Sequence, residues 1–232
     1  MNTFEELLGA ILSGEPFALS RYGDGEWAAI FGEDGENCDG HQYFPEMGIE
    51  LADTVQSYHD APYYYGMVRI ARTVYKERIV RYIRHYGIWA HWADGTIMAD
   101  AAKAGRLFPL IDLLRYRKVL YVGPQYLNTV EFHKNLFWPK QFVTVPAKNS
   151  FLNKENIVEI IAKEYMVGDY DLIGFSAGPT TEIMMWELWT YLKQNVAMVD
   201  FGSLWDGLIG HPTRKYHYEP GWPELVKKNL GQ

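Results

Sequence analysis

Residues 20–27 read SRYGDGEW, which sets Arg21, Asp24 and Glu26 around Gly23 and Gly25 directly after the apolar run PFAL. A turn needs glycine and at most one aspartate, so a cation and two carboxylates are more charge than a turn requires. Two carboxylates two residues apart, on a loop that glycines let approach closely, can hold a divalent cation directly or through water. Such a cation can neutralise a diphosphate, and the Arg21 guanidinium can add charge-assisted bonds to the same anion. The plainer alternative is an Asp-Gly turn.

Two further stretches carry comparable chemistry. In GFSAGPTTE (174–182), Pro179 suits the first turn of a helix, with Ser176, Thr180 and Thr181 around the helix start. Free N–H groups and the dipole there can receive a phosphate, at roughly 0.3–1 kcal/mol for the anion, although simple N-capping explains the same residues. Gly174, Ser176 and Gly178 also spell G-x-S-x-G, the nucleophile elbow of α/β-hydrolases, followed by Asp200 and then His211 or His217 in that order. Against a serine hydrolase, only 56 of the 232 residues follow Ser176, and no HGGG-type oxyanion segment is present. In VPAKNSF (145–151), Lys148 could meet phosphate and Asn149 a base or ribose edge, and Asn153 is a candidate helix N-cap. The histidines (His41, His59, His85, His91, His133, His211, His217) form no H-x-x-x-H pair, which argues against a zinc hydrolase.

Composition narrows the classes. With 232 residues and 48% hydrophobic content, the chain can bury a sizeable core. A net charge of -7 makes nucleic acid an unlikely partner, because phosphate would have to be met by a local patch against the overall field. Cys38 is the only cysteine, so neither an intrachain disulfide nor a cysteine zinc cage forms, and a reducing cytoplasm is the expected location. The N-terminal MNTFEELLGAILSGEP lacks the basic flank of a signal peptide, and no run reaches the roughly 18 apolar residues of a spanning helix. Eight tryptophans and 17 tyrosines could stack on sugars or bases, with core filling as the alternative.

The elements that would position these residues are those of an α/β protein. Strands are predicted at 16–20, 117–123, 141–147, 170–178 and 195–202. Helices are predicted at 50–58, 74–87 (with a basic face), 94–114, 153–166 and 179–194. Their alternation implies a Rossmann-like, mostly parallel sheet with flanking helices in a single domain over 1–232, the tail from 203 being less regular. Ligands of such sheets sit beyond the carboxyl ends of the strands, where all three motifs fall.

Taken in order, SRYGDGE, a strand ending at VGP, VPAKNSF, SAGPT and DFG resemble the GT-D-type glycosyltransferases, formerly a domain of unknown function, over about residues 17–216. The resemblance implies a Rossmann-like enzyme that moves a sugar from a nucleotide-diphosphate sugar, such as a UDP-sugar, to a glycan or other hydroxyl acceptor. It further implies Mn2+ or Mg2+ at an Asp-x-Glu motif, here Asp24 and Glu26, with Arg21 assisting catalysis. Arg21, Tyr22, Gly23, Lys148, Asn149, Ser176, Gly178, Pro179 and Thr180 would line the donor pocket. This chain departs from the family where Ser203 follows Gly202 in place of a histidine, where Val122, Gly123 and Pro124 replace a Glu-Gly ending, and at IWAHWADG. Asp94, Glu131 and Asp206 are candidates for an acceptor base, and a nonenzymatic nucleotide-binding module is the remaining alternative.

Overall fold

The computed structural model describes residues 1–57 and 62–232, so Tyr58, at the end of one predicted helix, and His59 lie outside the described residues. Seven strands form one sheet: β1 (Ala18–Tyr22), β2 (Tyr63–Met67), β3 (His91–Asp94), β4 (Val119–Pro124), β5 (Gln141–Val145), β6 (Leu172–Phe175) and β7 (Ala197–Asp200). The spatial order is β3-β2-β1-β7-β6-β4-β5, and every neighbouring pair is parallel. The chain therefore builds outward from β1 in one direction, then crosses to the other half of the sheet. The order reverses between β1 and β7, and in open parallel sheets ligands bind at the carboxyl ends of the strands at such a switch point.

Eleven α-helices occur among the described residues: α1 (Phe4–Ser13), α2 (Asp24–Ile30), α3 (Pro45–Gln56), α4 (Arg69–Val74), α5 (Lys76–Tyr86), α6 (Ile97–Lys103), α7 (Phe108–Arg115), α8 (Val130–Asn135), α9 (Lys154–Val167), α10 (Thr180–Tyr191) and α11 (Trp222–Asn229). Strand side chains alternate between two cores, as parallel sheets buried on both faces require. Ala18, Tyr22, Leu120, Val122, Ile173 and Met198 face α2, α3, α9 and α10. Leu19, Val119, Tyr121, Leu172 and Val199 face α1, α6, α7 and α11. None of the helices is long and apolar enough to cross a membrane among the described residues.

The five predicted strands are present, three with trimmed ends, one shifted from 16–20 to Ala18–Tyr22 and one ending a residue later, at Pro124, while β2 and β3 were not predicted. YYYGM and HWAD lack β-branched residues, and tertiary pairing decides their state. The predicted 94–114 helix is two helices, α6 and α7, separated at Gly105 with φ +68. The predicted 74–87 helix is α5 alone, with Val74 closing the separate α4. Asn153 stands just before α9 but makes no side-chain cap. After β7, 3-10 turns at Asp206–Leu208 and Lys215–Tyr218 lead into α11, whose Trp222 is buried.

Two contacts fix α2, which carries Asp24 and Glu26. Gly25 leaves room for the neighbouring loop, since a Cβ there would fall 3.1 Å from Asn37 Cβ. A Cβ on Gly48 of α3 would fall 2.3 Å from Ala29 O of α2, so the two helix backbones meet directly. On the same face, the buried Lys154 Nζ lies 2.7 Å from both Glu50 and Glu187 and ties α3, α9 and α10 together. Burial works against that charge, but the two carboxylates outweigh it and hold the ammonium above its ordinary pKa.

In an open helix Gly→Ala gains about 1 kcal/mol. Gly48→Ala is expected instead to lose about 1–3 kcal/mol in urea unfolding, because α2 must be displaced.

Candidate active site at the carboxyl edge of the sheet

The edge is assembled from strand ends and helix starts. β1 carries Arg21 and Tyr22 to the crevice, Gly23 turns the chain, and Asp24 and Glu26 occupy the first turn of α2. They are thus on a helix start, whereas the sequence placed them on a loop. Glu26 folds back so that Gly23 N donates to its Oε2 at 2.6 Å, half of a capping box. Asp24 is exposed, and Glu26 is half-buried.

Two further carboxylates lie behind this pair, Glu182, which the sequence did not single out, and Asp200, which it named as a hydrolase acid and as the Asp of DFG. Glu182, in the first turn of α10, and Asp200, at the end of β7, are both buried. Glu182 Oε1 accepts from Arg21 N at 3.4 Å, while its Oε2 is buried without a hydrogen-bond partner. Asp200 Oδ1 accepts from Gly202 N at 2.8 Å, and its Oδ2 lies 3.9 Å from Arg21 Nε. Arg21 Nε donates to Gly95 O at 3.2 Å, and Gly202, at φ +52, leaves space for the guanidinium, since a Cβ there would meet Arg21 Nη1 at 2.8 Å. The charges are badly matched. Burial, then the neighbouring Asp200 and Asp24, raise Glu26 to about 7. Burial and the charges of Asp200 and Glu26 push Glu182 well above the carboxylate range. Burial also raises Asp200, with Arg21 opposing it. GPTTE contains the one available signal for Glu182, an acid in a helix first turn, but there the hydroxyls drew the N-cap reading.

The hydroxyls around α10 are engaged by the protein itself. Ser176 Oγ donates to Gly202 O at 2.6 Å and lies 2.7 Å from the buried Tyr121 hydroxyl. No histidine bonds it among the described residues. His211 stacks on Tyr126, and His217 Nδ1 accepts from Thr213 N and Arg214 N, with burial lowering its pKa to about 4. The Ser176–Asp200–His arrangement of a hydrolase is therefore not assembled. Thr181 Oγ1 accepts from Ala177 N at 3.1 Å, and Ser150 Oγ donates to Ala177 O at 2.9 Å beside Thr180. Pro179, buried, precedes α10 in helical conformation.

A loop from 37 to 43 joins the remaining candidates. Gly178, at φ +64, lies under His41, where a Cβ would fall 2.6 Å from Nε2. His41 Nδ1 accepts from Asn149 N at 3.1 Å, and Asn149 Oδ1 accepts from Gln42 N at 2.8 Å. The Lys148 side chain packs on Gly40. At the loop's other side Arg214 makes a two-pronged ion pair with Asp39, at 2.6 and 2.8 Å. Nothing in the sequence singles out His41, Asp39 or Arg214, because their meeting depends on the tertiary fold.

Tyr22 is the clear correction among the donor-pocket expectations. Its side chain is in the core, with the hydroxyl 2.6 Å from Thr54 Oγ1, because alternate β1 residues face the α3 side. Of the three base candidates, Asp94 Oδ1 accepts from Thr96 N, and Glu131 is exposed on α8. Asp206 is buried, bonded by Thr213 and raised by burial to about 7.

Glu26 binds a proton up to about 7 in the folded chain, against its ordinary 4.5. Its contribution is full below the unfolded value and is lost as pH rises through the folded one. In EDTA, wild-type stability relative to Glu26→Gln should therefore decline from about pH 4.5 to about pH 7 in paired urea titrations.

No family model and no curated relative matches the chain. Solved structures do. One, described as the highly conserved domain of unknown function 1792 with a distinct glycosyltransferase fold, superposes with TM-score 0.67 at 18% identity, over 94% of this chain and 87% of that one. A selenomethionine structure of the same domain gives 0.62 at 17%, over 94% and 93%. A new glycosyltransferase of that domain from Streptococcus sanguinis gives 0.62 at 14%, over 95% and 93%. With its seven-stranded parallel sheet the chain thus shares the fold of these structures, which one of them describes as a distinct glycosyltransferase fold.

Proposed function

We propose that the chain is a metal-dependent glycosyltransferase that moves a sugar from a nucleoside-diphosphate sugar, with a UDP-sugar as the first donor to test, onto a hydroxyl acceptor such as a glycan. The observation that carries this reading is the uncompensated carboxylate group of Asp24, Glu26, Glu182 and Asp200 around Arg21, at the switch point of a glycosyltransferase fold.

The residues suit Mn2+ or Mg2+. Hard oxygen donors are what these ions take, and the Asp24 carboxylate is exposed at the start of α2. No group of three or more His, Cys, Asp or Glu in metal-holding geometry occurs among the described residues. Asp24 and Glu26 would accordingly supply two ligands, the remaining positions falling to water and diphosphate, as is usual for Mg2+. A bound cation would offset charge gathering on the departing nucleoside diphosphate.

The chain's own groups would do the rest. Arg21 is fixed by Gly95 O and offers its remaining N–H groups to the diphosphate. Lys148, on the Gly40 side of the loop, would add a mobile cation. Asn149 is held by Gln42 N in left-handed conformation at φ 53, so its position at the donor rim is set in advance.

Release of nucleoside diphosphate from a panel of nucleotide sugars tests the proposal. One donor should be turned over with Mn2+ and not with EDTA, and Asp24→Ala and Glu26→Ala should each lower kcat at least about 100-fold while remaining folded. Donor binding without turnover under any condition would make the chain a nucleotide-binding module and overturn the enzyme reading.

A further inference from the structure

The segment 69–89, spanning α4, α5 and the turn to Trp89, departs from the charge of the whole molecule. It holds Arg69, Arg72, Lys76, Arg78, Arg81 and Arg84 against the single carboxylate of Glu77, a balance of +5 in a chain of net charge -7. All six cations are exposed. Arg69 pairs with Asp100 and Arg78 with Glu33. Arg72, Lys76, Arg81 and Arg84 have no carboxylate partner among the described residues; Arg72 and Arg81 donate only to the carbonyls of Met67 and Glu77.

Apolar side chains are set among these cations. Ile70 and Val74, one turn apart on α4, are exposed, and so are Val80, Tyr86 and Trp89, the last at 82%. On α5, Ile79 faces the core, while Lys76, Glu77, Val80 and Arg81 line a shallow depression on the outer side. Burial inside this chain therefore does not account for the outer aliphatic groups.

We propose that the α4–α5 surface docks onto an anionic lipid bilayer. Cations interleaved with aliphatic and aromatic side chains match the interfacial mode, in which apolar groups enter the acyl boundary and arginine and lysine stems lie along it with their charges at the headgroups. Trp89 and Tyr86 suit the headgroup level. A nucleic acid would use the cations but offer nothing to Ile70, Val74 and Val80. A helical acidic partner would need a groove, and the depression lined by Lys76, Glu77, Val80 and Arg81 is shallow. Charge complementarity also fixes the orientation, because the rest of an acidic molecule is repelled by the same bilayer.

The surface adjoins the carboxyl edge. Val68, the residue before α4, lies 3.9 Å from where a Cβ of Gly23 would be, and Arg69 N donates to Thr96 Oγ1 near the end of β3. Docking would therefore hold that edge close to the bilayer. On the transferase reading above, this favours acceptors carried in the membrane, a corollary that rests on that reading while the docking itself does not.

The test is flotation of the full chain with phosphatidylcholine vesicles, with and without phosphatidylglycerol. Binding should require phosphatidylglycerol and fall steeply with salt. Each cation near such a surface is worth about a fivefold gain in partitioning, so the double reversal Arg81→Glu, Arg84→Glu should weaken binding by at least about tenfold. Trp89→Ala should also weaken it without changing the thermal midpoint. No flotation with phosphatidylglycerol, or flotation that neither variant changes, overturns the proposal. Binding to duplex DNA as tight as to vesicles and indifferent to Trp89→Ala would overturn it in favour of a polyanion surface. Nucleotide-sugar turnover, run in parallel without lipid, reports on the transferase reading separately.

Discussion

Carboxylates crowded together, two of them fully buried, cannot all remain ionised without a cation to face, and the carboxyl edge collects four from opposite halves of the chain. Asp24 and Glu26 arrive on α2, Asp200 on β7 and Glu182 on α10, while Arg21 is the cation in their midst. Water is largely excluded from Glu182 and Asp200, so their mutual repulsion is weakly screened. Much else in the molecule follows from this imbalance. Glu26 curls onto Gly23 N, Asp200 takes Gly202 N, and Arg21 is braced by a carbonyl rather than by a carboxylate alone. A region so arranged is costly to keep as pure scaffold, which is why raised carboxylate pKa values in a crevice point toward ligand chemistry.

Support for this charged region comes from close backbone contact. Gly48 lets α3 touch α2, and Gly25 lets the 37–43 loop approach the same helix. α2 is thus held at both ends, by the loop at its first turn and by α3 at its last, so the helix that carries the two carboxylates is positioned by packing. Lys154 reinforces the same face by tying α3, α9 and α10 through Glu50 and Glu187. Breaking such a buried ion group by removing one partner generally costs more than the intact group contributes.

The sequence makes legible those parts of the site where several residue types had to coincide locally. RYGDGE carries unusual charge around glycine, and SAGPT joins a strand end to a helix start, so both could be placed at the carboxyl edge. YYYGM and HWAD offer aromatic residues but no β-branched run or alternation, because β2 is specified by pairing with β1, β3 by pairing with β2, and both by aromatic packing such as Tyr63 on Trp189. The Asp39–Arg214 pair and the His41–Gly178 contact are invisible for a related reason. Their partners are far apart in the chain, and each residue alone is ordinary.

The sheet order has a consequence for the life of the chain during synthesis. β7 is the last strand made, yet it lies in the middle, between β1 and β6. Until Ala197–Asp200 leaves the ribosome, β3-β2-β1 and β6-β4-β5 are two half-sheets with open inner edges, the kind of exposed template that invites wrong pairing. Docking of β7 closes both edges in one event and delivers Asp200 to Arg21 in the same event. One strand thus both joins the half-sheets and brings in the last buried carboxylate, so that a chain without β7 in place has two open edges and lacks Asp200 beside Arg21.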